Sequence, residues 1–285
     1  RFSMRSEGHA NNAFHNLIIH MAGDTRTLGI DNGSKLIVDN DLTITRGILQ
    51  MNTAHELEVG GDVEIDDGSD VAELRMGSAS TASSHPASFG SLTIGNDGTY
   101  SATSGTTTIT SETSGGFAMV DQGTFTHNNG TIQIGDGSTA VGSGTHTKVD
   151  TFYNLTVNMS ASSVDAILRP NSGSTVTVAN DLTVTQGEVY RNNASDTLTV
   201  TGDVDIAANG TLGRTNDTGA TNFGSLSVAS GGTYIATSGT TTITKANGGT
   251  DGRAFYIHSS ATFNHNNGLV KFTASSPQVA PTSTG

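Results

Sequence analysis

The sequence contains no cysteine and no tryptophan, and only 5% of its 285 residues are aromatic. Without cysteine, disulfide bonds and thiolate metal sites are excluded. Because large rings are scarce, we expect a core of β-branched and other aliphatic side chains, which suit a pleated strand surface. A β-sandwich of this length normally buries more aromatic residues, so the composition favours short stacked strands over a sandwich.

Basic residues are also scarce. The chain has 13 Lys and Arg residues against 26 Asp and Glu residues, which gives a formal net charge of −13. No basic stripe is present that would neutralise phosphates, and no apolar run approaches the roughly 20 residues that a membrane-spanning helix needs. We therefore expect neither nucleic-acid binding nor membrane insertion.

The sequence is duplicated in tandem. The matching segments are residues 13–19 and 151–157, 40–45 and 180–185, 98–110 and 232–244, and 124–130 and 262–268. A shift of about 138 residues relates the copies, and such self-similarity is the signature of a repeat architecture, in which each unit contacts its neighbours. We expect residues 1–13 to be the tail of a preceding repeat, and residues 14–151 and 152–285 to be two units of one continuous rod.

A shorter period lies inside each copy. The pattern V-x-x-D-L-x-I at residues 38–44 recurs as V-x-x-D-V-x-I at residues 59–65, and in the second copy the same pattern at residues 178–184 returns at 200–206. Alternation with a period of two places one set of side chains on one face of a strand, and Asn, Asp and Gly between the strands suit turns.

These periods predict an all-β chain folded as a parallel β-solenoid. Its coils should contain about 21 residues, near the lower end of known structural repeats, and each should carry two or three short strands. The coil length favours right-handed winding. Side chains on the inward face should stack in columns from coil to coil. The inward positions predicted from the alternation are Leu42, Ile44, Val63, Ile65, Leu182, Val184, Val204 and Ile206.

Two motifs carry a resemblance to known proteins. T-F-T-H-N-N-G-T-I-Q-I at residues 124–134 and its copy at 262–272 contain an Asn-Asn-Gly strand, and T-F-Y-N-L-T-V at residues 151–157 follows the first after a polar loop. This order resembles the β-solenoid repeats of large secreted bacterial surface proteins, adhesins and virion-associated phage fibre proteins. The resemblance implies a fibre, stalk or surface-repeat architecture and says little about function, because one fold serves many functions.

The His-Asn-Asn-Gly motifs are the strongest polar signal. Stacked His and Asn side chains can bind a metal ion or a glycan, but each copy has one His and no carboxylate at ligand spacing. We favour turns whose Asn side chains bond to the main chain and form a ladder between coils. The residues of this predicted structural ladder are His127, Asn128, Asn129, His265, Asn266 and Asn267.

The densest acidic turn contains Asp66, Asp67 and Asp70. Carboxylate oxygens on a tight glycine turn suit Ca²⁺. The turn lacks the alternating Asp spacing and terminal Glu of a calcium-binding loop, and its counterpart at residues 207–210 has lost the acids. We therefore favour a solvated turn, with calcium as the alternative, and predict no other cofactor.

A carbohydrate-active β-helix, resembling tailspikes and pectinases, is the alternative to a structural repeat. Such enzymes need carboxylates across a groove. Asp41, Asp62, Asp181 and Asp203 recur at matching coil positions. An active site is normally built once, whereas a turn residue recurs in every coil, so this recurrence favours turns over catalysis, and we predict no catalytic residue.

The sequence therefore predicts a non-catalytic structural segment of an extracellular or virion-surface fibre, stalk or adhesin. Its expected partners are further copies of the same repeat or of the same chain, joined end to end. A cell-surface glycan is the second kind of partner that such a surface protein would contact. A reducing-sugar assay on acidic polysaccharides separates the structural and enzymatic hypotheses.

Overall fold

The computed structural model of the chain is a parallel β-solenoid, which confirms the predicted fold class. The structure describes residues 13–30, 35–52, 55–65, 70–111, 117–119, 123–135, 145–170 and 174–281. All of the regular elements in these ranges are β-strands. None of the described segments is a helix of the length and apolarity that crossing a membrane would require.

The chain divides into two compact units. Unit 1 comprises residues 1–111 and 115–133, and unit 2 comprises residues 112–114 and 134–285. This division follows packing, whereas the predicted boundary between residues 151 and 152 follows sequence similarity and remains a prediction. Residues 1–12 of the predicted preceding tail lie outside the described part of the chain.

Unit 1 is built from short strands. They are β1 (Ala13–Phe14), β2 (Leu17–His20), β3 (Thr27–Ile30), β4 (Leu36–Val38), β5 (Leu42–Met51), β6 (Leu57–Val59), β7 (Asp62–Ile65), β8 (Ala72–Met76), β9 (Ala87–Phe89), β10 (Ser91–Ile94), β11 (Gly98–Ser101), β12 (Thr106–Ile109), β13 (Phe117–Met119) and β14 (Thr124–Thr126), followed by β15 (Thr131–Ile134) at the division. All of the strand pairs described below are parallel, as a solenoid requires.

The strands of unit 1 form three stacks, so each coil has three faces. The first stack contains β1, β4, β6, β9 and β12. The second contains β2, the first half of β5, β7, β10 and β13. The third contains β3, the second half of β5, β8, β11 and β14. Within each stack, a strand pairs with the strands one coil before and one coil after it.

Unit 2 repeats this arrangement with longer continuous strands. They are β16 (Thr145–Lys148), β17 (Thr151–Phe152), β18 (Asn154–Asn158), β19 (Asp165–Arg169), β20 (Thr175–Val178), β21 (Leu182–Arg191), β22 (Thr197–Leu212), β23 (Thr221–Val228), β24 (Thr233–Ile235), β25 (Thr240–Ile243), β26 (Phe255–Ile257), β27 (Thr262–Asn264), β28 (Leu269–Phe272) and β29 (Val279–Pro281). β22 runs through all three faces of one coil, pairing with β20 on the first, with both halves of β21 on the second and third, and with β23 and β24 of the following coil.

The inward side chains form the predicted columns. In unit 1, Leu42 lies beside Val63 and Ile44 beside Ile65, and all four are fully buried. In unit 2 the matching pairs are Leu182 with Val204 and Val184 with Ile206, each at most 1% exposed. The eight predicted inward positions are therefore confirmed. Each buried aliphatic side chain contributes about 1.5–3 kcal/mol relative to its exposed state.

A glycine at the corner between two faces is shared by both copies. β5 turns at Gly47 and β21 turns at Gly187, with φ angles of 91° and 108°. A Cβ atom at Gly47 would lie 2.6 Å from Met21 Cγ, and one at Gly187 would lie 2.5 Å from Met159 Cγ. Only glycine combines this backbone conformation with so close an approach, so the sharp corner depends on it.

The coils are longer and less uniform than the sequence period suggested. Successive coils lie roughly 24 residues apart, which exceeds the predicted period. The step from Asp41 to Asp62 is 21 residues, but the step from Asp62 to Ser91 in the next coil is 29 residues. The connection between β8 and β9 is among the segments that have lengthened. Insertions in such connections leave the strand stacks intact, because loops at a corner do not take part in the ladder.

Candidate functional site

A polar ladder runs along the turn between the first and second faces. In unit 1 the Asn40 side chain donates to Asn16 Oδ1 at 2.9 Å, and the Asp62 main-chain N–H donates to Asp41 Oδ1 at 3.0 Å. Ser91 Oγ then donates to Asp62 Oδ1 at 2.6 Å. These side chains satisfy polar groups of neighbouring coils, which stabilises the turn.

Unit 2 contains the same ladder. The Asn180 side chain donates to Asn154 Oδ1 at 2.8 Å, and the Asp203 main-chain N–H donates to Asp181 Oδ1 at 2.8 Å. Ser225 Oγ donates to Asp203 Oδ1 at 2.8 Å. The four aspartates that recur in the sequence therefore all take part in coil-to-coil bonding.

Asp203, the last aspartate of this ladder, and the nearby Asp205 also bond to the segment of residues 245–250. Lys245 Nζ lies 2.7 Å from Asp203 Oδ1, and the Thr250 main-chain N–H and hydroxyl donate to Asp205 Oδ1. Partial burial alone would raise the pKa of Asp203, but hydrogen bonds from Lys245, the Gly249 main chain and a serine hydroxyl lower it below its ordinary value. The folded state therefore binds a proton at Asp203 less readily than the unfolded chain does.

The stabilisation from Asp203 should depend on pH. A carboxyl whose pKa is lowered by folding stabilises the protein above its unfolded pKa of about 4, and this stabilisation disappears as the pH falls through the lower folded pKa. We expect Lys245→Ala to lower the denaturation midpoint at pH 7 and to have a much smaller effect at pH 2–3. Urea denaturation across this range measures it, with the exposed Lys271→Ala as the matched control. An equal effect of Lys245→Ala at both pH values would contradict the assignment.

The His-Asn-Asn-Gly turns have the same geometry in both copies. Asn128 and Asn129 have φ angles of 48° and 60°, and Asn266 and Asn267 have φ angles of 48° and 56°. Asparagine tolerates this left-handed conformation better than most residues. The turn is closed by an imidazole, because the N–H two residues after His127 donates to its Nδ1 at 3.0 Å, and the equivalent distance in the second copy is 2.9 Å.

The two turns differ in how they bond to the preceding coil. Asn128 Nδ2 donates to Ser101 Oγ at 3.1 Å and to the Ala102 carbonyl at 2.7 Å. Asn266 Nδ2 is buried and has no hydrogen-bond partner among the described residues. The counterpart of Ser101 in the second copy is Ile235, the single difference between two otherwise identical segments, 98–110 and 232–244. The structure thus shows a side-chain contact between coils at Asn128, and the counterpart of one of its two acceptors is missing at Asn266.

This difference predicts unequal mutational effects. Asn128→Ala and Asn266→Ala should cost the same free energy for placing alanine in the left-handed backbone conformation, because both residues have a φ angle of 48°. Asn128→Ala also removes two hydrogen bonds, so we expect it to lower the free energy of unfolding by about 1 kcal/mol more than Asn266→Ala. Denaturant unfolding of both variants measures the difference. Equal losses, or a larger loss at Asn266, would refute a role for the Asn128 side chain in holding the coils together.

The predicted calcium turn is only partly described. Asp66 and Asp67 lie outside the described residues. Asp70 Oδ1 lies 3.7 Å from Arg46 Nε, which also contacts Asp24 at 2.7 Å. The described residues contain no group of three or more His, Asp or Glu side chains arranged to hold a metal ion. The calcium hypothesis therefore stays a prediction. The carboxylate of Asp70 lies beside the Arg46 guanidinium.

A cluster that contains two carboxylates lies on the outward side of the third face of unit 2. Asp165 and Glu188 are direct cross-strand partners, and the Tyr190 hydroxyl donates to Asp165 Oδ2 at 2.7 Å. The Arg214 guanidinium lies 4.4 Å from the centre of the Tyr190 ring. The cross-strand partners at the matching position of unit 1 are Thr27 and Ile48.

The pKa values in this cluster are displaced from their ordinary values. Partial burial, followed by the neighbouring Asp165 carboxylate, raises the pKa of Glu188. Burial, the hydrogen bond to Asp165 and its charge raise the pKa of Tyr190 to about 12, against an opposing effect from Arg214. A carboxyl with a raised pKa beside a second carboxylate has the acid–base properties that glycan-cleaving enzymes use.

A second charged group in unit 2 is buried. Arg191 Nη2 lies 3.0 Å from Asp217 Oδ2, and the two side chains are 5% and 1% exposed. Arg191 Nη1 also donates to three main-chain carbonyl groups and the Thr221 hydroxyl, which offsets part of its desolvation. In unit 1 the register position of Arg191 is taken by Met51. The ion pair is closed to solvent, so its role is structural.

Neither charged group of unit 2 is predictable from the sequence alone. Asp165 and Glu188 lie on adjacent coils, and Arg191 is likewise distant from Asp217 in the sequence, so only the coil register brings each pair together. The sequence feature that could have indicated these groups is a difference between the two copies. Asp165, Glu188 and Arg191 stand at positions where the first copy has uncharged residues.

Comparison with known proteins identifies no relative. No protein-family model, no curated protein and no solved structure matches the chain.

Proposed function

We propose that the chain is a non-catalytic structural segment of an extracellular or virion-surface fibre, stalk or adhesin. The supporting observation is that the acidic residues repeated in both copies bond coil to coil. Asp41 accepts from the main chain of Asp62, and Asp181 accepts from that of Asp203. Residues in this role maintain the stack and are not available as a pair across a groove.

The packing supports the same proposal. Both units fill their interiors with aliphatic columns, and Tyr100 stacks on Phe125 in unit 1 as Tyr234 stacks on Phe263 in unit 2, with ring centres 6.0 and 5.9 Å apart. The hydroxyl groups of both tyrosines bond to buried threonines. A duplicated interior with a largely Thr-rich exterior suits a protein that holds distance between other modules.

A carbohydrate-active β-helix is the second candidate, and one observation favours it. The cluster of Asp165, Glu188, Tyr190 and Arg214 has no matching acid pair in the described part of unit 1, as expected of a site that is built once. In that function Glu188, with its raised pKa, would be the general acid, and Asp165 would be the second carboxylate.

A reducing-sugar assay discriminates between the two functions. We expect the wild-type chain to release no reducing ends from polygalacturonate, alginate or hyaluronate above the level of a heat-denatured sample. Release that is abolished by Glu188→Gln, but retained in the variant Glu64→Gln at an exposed position of β7, would overturn the structural proposal and support the enzyme. Immunogold labelling of the cells or particles that produce the protein tests the location, and we expect label on their outer surface.

A further inference from the structure

The chain contains several Asn-Gly pairs, which are the dipeptides in which asparagine most readily loses its amide. They lie at residues 32–33, 129–130, 209–210, 247–248 and 267–268, and the structure describes all but the first. The glycine main-chain nitrogen attacks the asparagine side-chain carbon, because glycine has no side chain to block the approach. The attack requires an N–H without an acceptor and a peptide group that can rotate, so the local hydrogen bonds decide which pair reacts.

Three of the described pairs are held in place by the main chain. The Gly130 N–H donates to the His127 carbonyl at 2.9 Å, and the Gly268 N–H donates to the His265 carbonyl at 2.8 Å. The pair at residues 209–210 lies inside β22, in register with β21 of the neighbouring coil, and its glycine is buried. Attack at these pairs therefore requires local opening of a turn or of the strand ladder.

The fourth described pair is free of such bonds. Asn247 and Gly248 lie between β25 and β26, outside any strand, and Asn247 is exposed. Neither the Asn247 side chain nor the Gly248 N–H forms a hydrogen bond with the described part of the chain. The main-chain N–H groups of Lys245 and Thr250, on either side, donate to preceding coils at 2.9 and 3.1 Å. The peptide group between Asn247 and Gly248 can therefore rotate without breaking either of these two bonds.

The packing requires glycine at position 248. A Cβ atom there would lie 2.5 Å from Asp203 Oδ1 and 2.8 Å from Ser225 Oγ. These distances are too short for any residue with a side chain, unless its neighbours shift. The fold therefore keeps, directly after Asn247, the residue that hinders the attack least.

We propose that Asn247 is a site of spontaneous deamidation in the folded protein, with water as the co-reactant. The Gly248 nitrogen gives up its proton to solvent and bonds to Asn247 Cγ. The Cγ–Nδ2 bond breaks, and the amide nitrogen takes up a proton from solvent and leaves as ammonia. Water then opens the resulting cyclic imide at either of its two carbonyl groups, which leaves aspartate or isoaspartate at position 247. The reaction needs only water, so the inference is independent of the function proposed above.

The reaction adds a negative charge to a segment that already bonds to carboxylates. Asp203 and Asp205 accept hydrogen bonds from the segment of residues 245–250, and Asp251 Oδ2 accepts one from Ser227 Oγ at 3.0 Å. Like charges in this region repel one another. Isoaspartate also lengthens the main chain of the segment by one methylene group. Both changes should weaken the attachment of the segment to the coils, so the protein should lose stability as it ages.

Peptide mass spectrometry of the aged protein tests the site. The folded 285-residue chain is incubated at pH 8 in water enriched in heavy oxygen, which distinguishes conversion during incubation from conversion during digestion. Asn247 is the only amide side chain in the tryptic peptide of residues 246–253. We expect Asn247 to convert at least about ten times as fast as the asparagines at positions 129, 209 and 267, because each of those needs a main-chain hydrogen bond to open. In a urea-unfolded sample the four rates should become similar, since glycine follows each asparagine.

A glutamine variant tests the effect on stability. Glutamine closes the corresponding larger ring much more slowly, so Asn247→Gln should keep its urea denaturation midpoint on ageing while the wild type loses part of its own. Asn209→Gln, which changes another exposed asparagine before glycine, is the matched control. We expect it to lose as much stability with age as the wild type.

Three results would overturn the inference. The first is equal or faster conversion at position 129 or 267 in the folded chain. The second is an unreacted Asn247 in a folded sample whose unfolded counterpart converts, which would mean that the folded segment holds this peptide group. The third is an unchanged denaturation midpoint after Asn247 has converted, which would refute the proposed effect on stability.

Discussion

The structure depends on one constraint. The main-chain hydrogen bonds of each coil, and the burial of its inward side chains, are provided only by the coils before and after it. A strand such as β7, from Asp62 to Ile65, is too short to be stable alone. Its pairing with β5 on one side and β10 on the other supplies the missing hydrogen bonds and completes the columns that contain Val63 and Ile65. Stability is therefore shared between neighbours along each unit.

Two kinds of side-chain hydrogen bond stabilise the turns between the strands. The Asn and Asp side chains of the first corner bond to neighbouring coils, and the histidines of the Asn-Asn-Gly turns accept a main-chain N–H within the same turn. Both devices are duplicated with closely similar bond lengths, as at Asp41 and Asp181. Unit 2 adds charged groups to this frame, with Arg191 inside and the pair of Asp165 and Glu188 outside. Both copies thus share the frame, whereas individual positions differ in their chemistry.

The sequence was sufficient to predict the parallel solenoid, the inward columns and the position of the repeated aspartates in turns, because alternation and turn residues act over a few positions. It was not sufficient to predict coil length, since connections such as residues 77–86 lengthen a coil without changing its strands. The Tyr190 and Asp165 contact also escaped prediction, because it depends on the register between strands of adjacent coils. The calcium turn and the handedness of the coil remain predictions.

Engineered disulfide bonds test the coil register most directly, because the chain has no cysteine of its own. Thr43 and Glu64 are direct partners on adjacent coils, and Thr93 is the next partner along the same outward column. Adjacent coils place Cα atoms about 4.8 Å apart, within the range that a disulfide bridges, whereas two coils place them about 10 Å apart. The account predicts rapid oxidation of the Thr43→Cys/Glu64→Cys double variant and none within a monomer of Thr43→Cys/Thr93→Cys, read by mass spectrometry of the non-reduced protein. Equal cross-linking of both pairs, or of neither, would contradict a stack of parallel coils in this register.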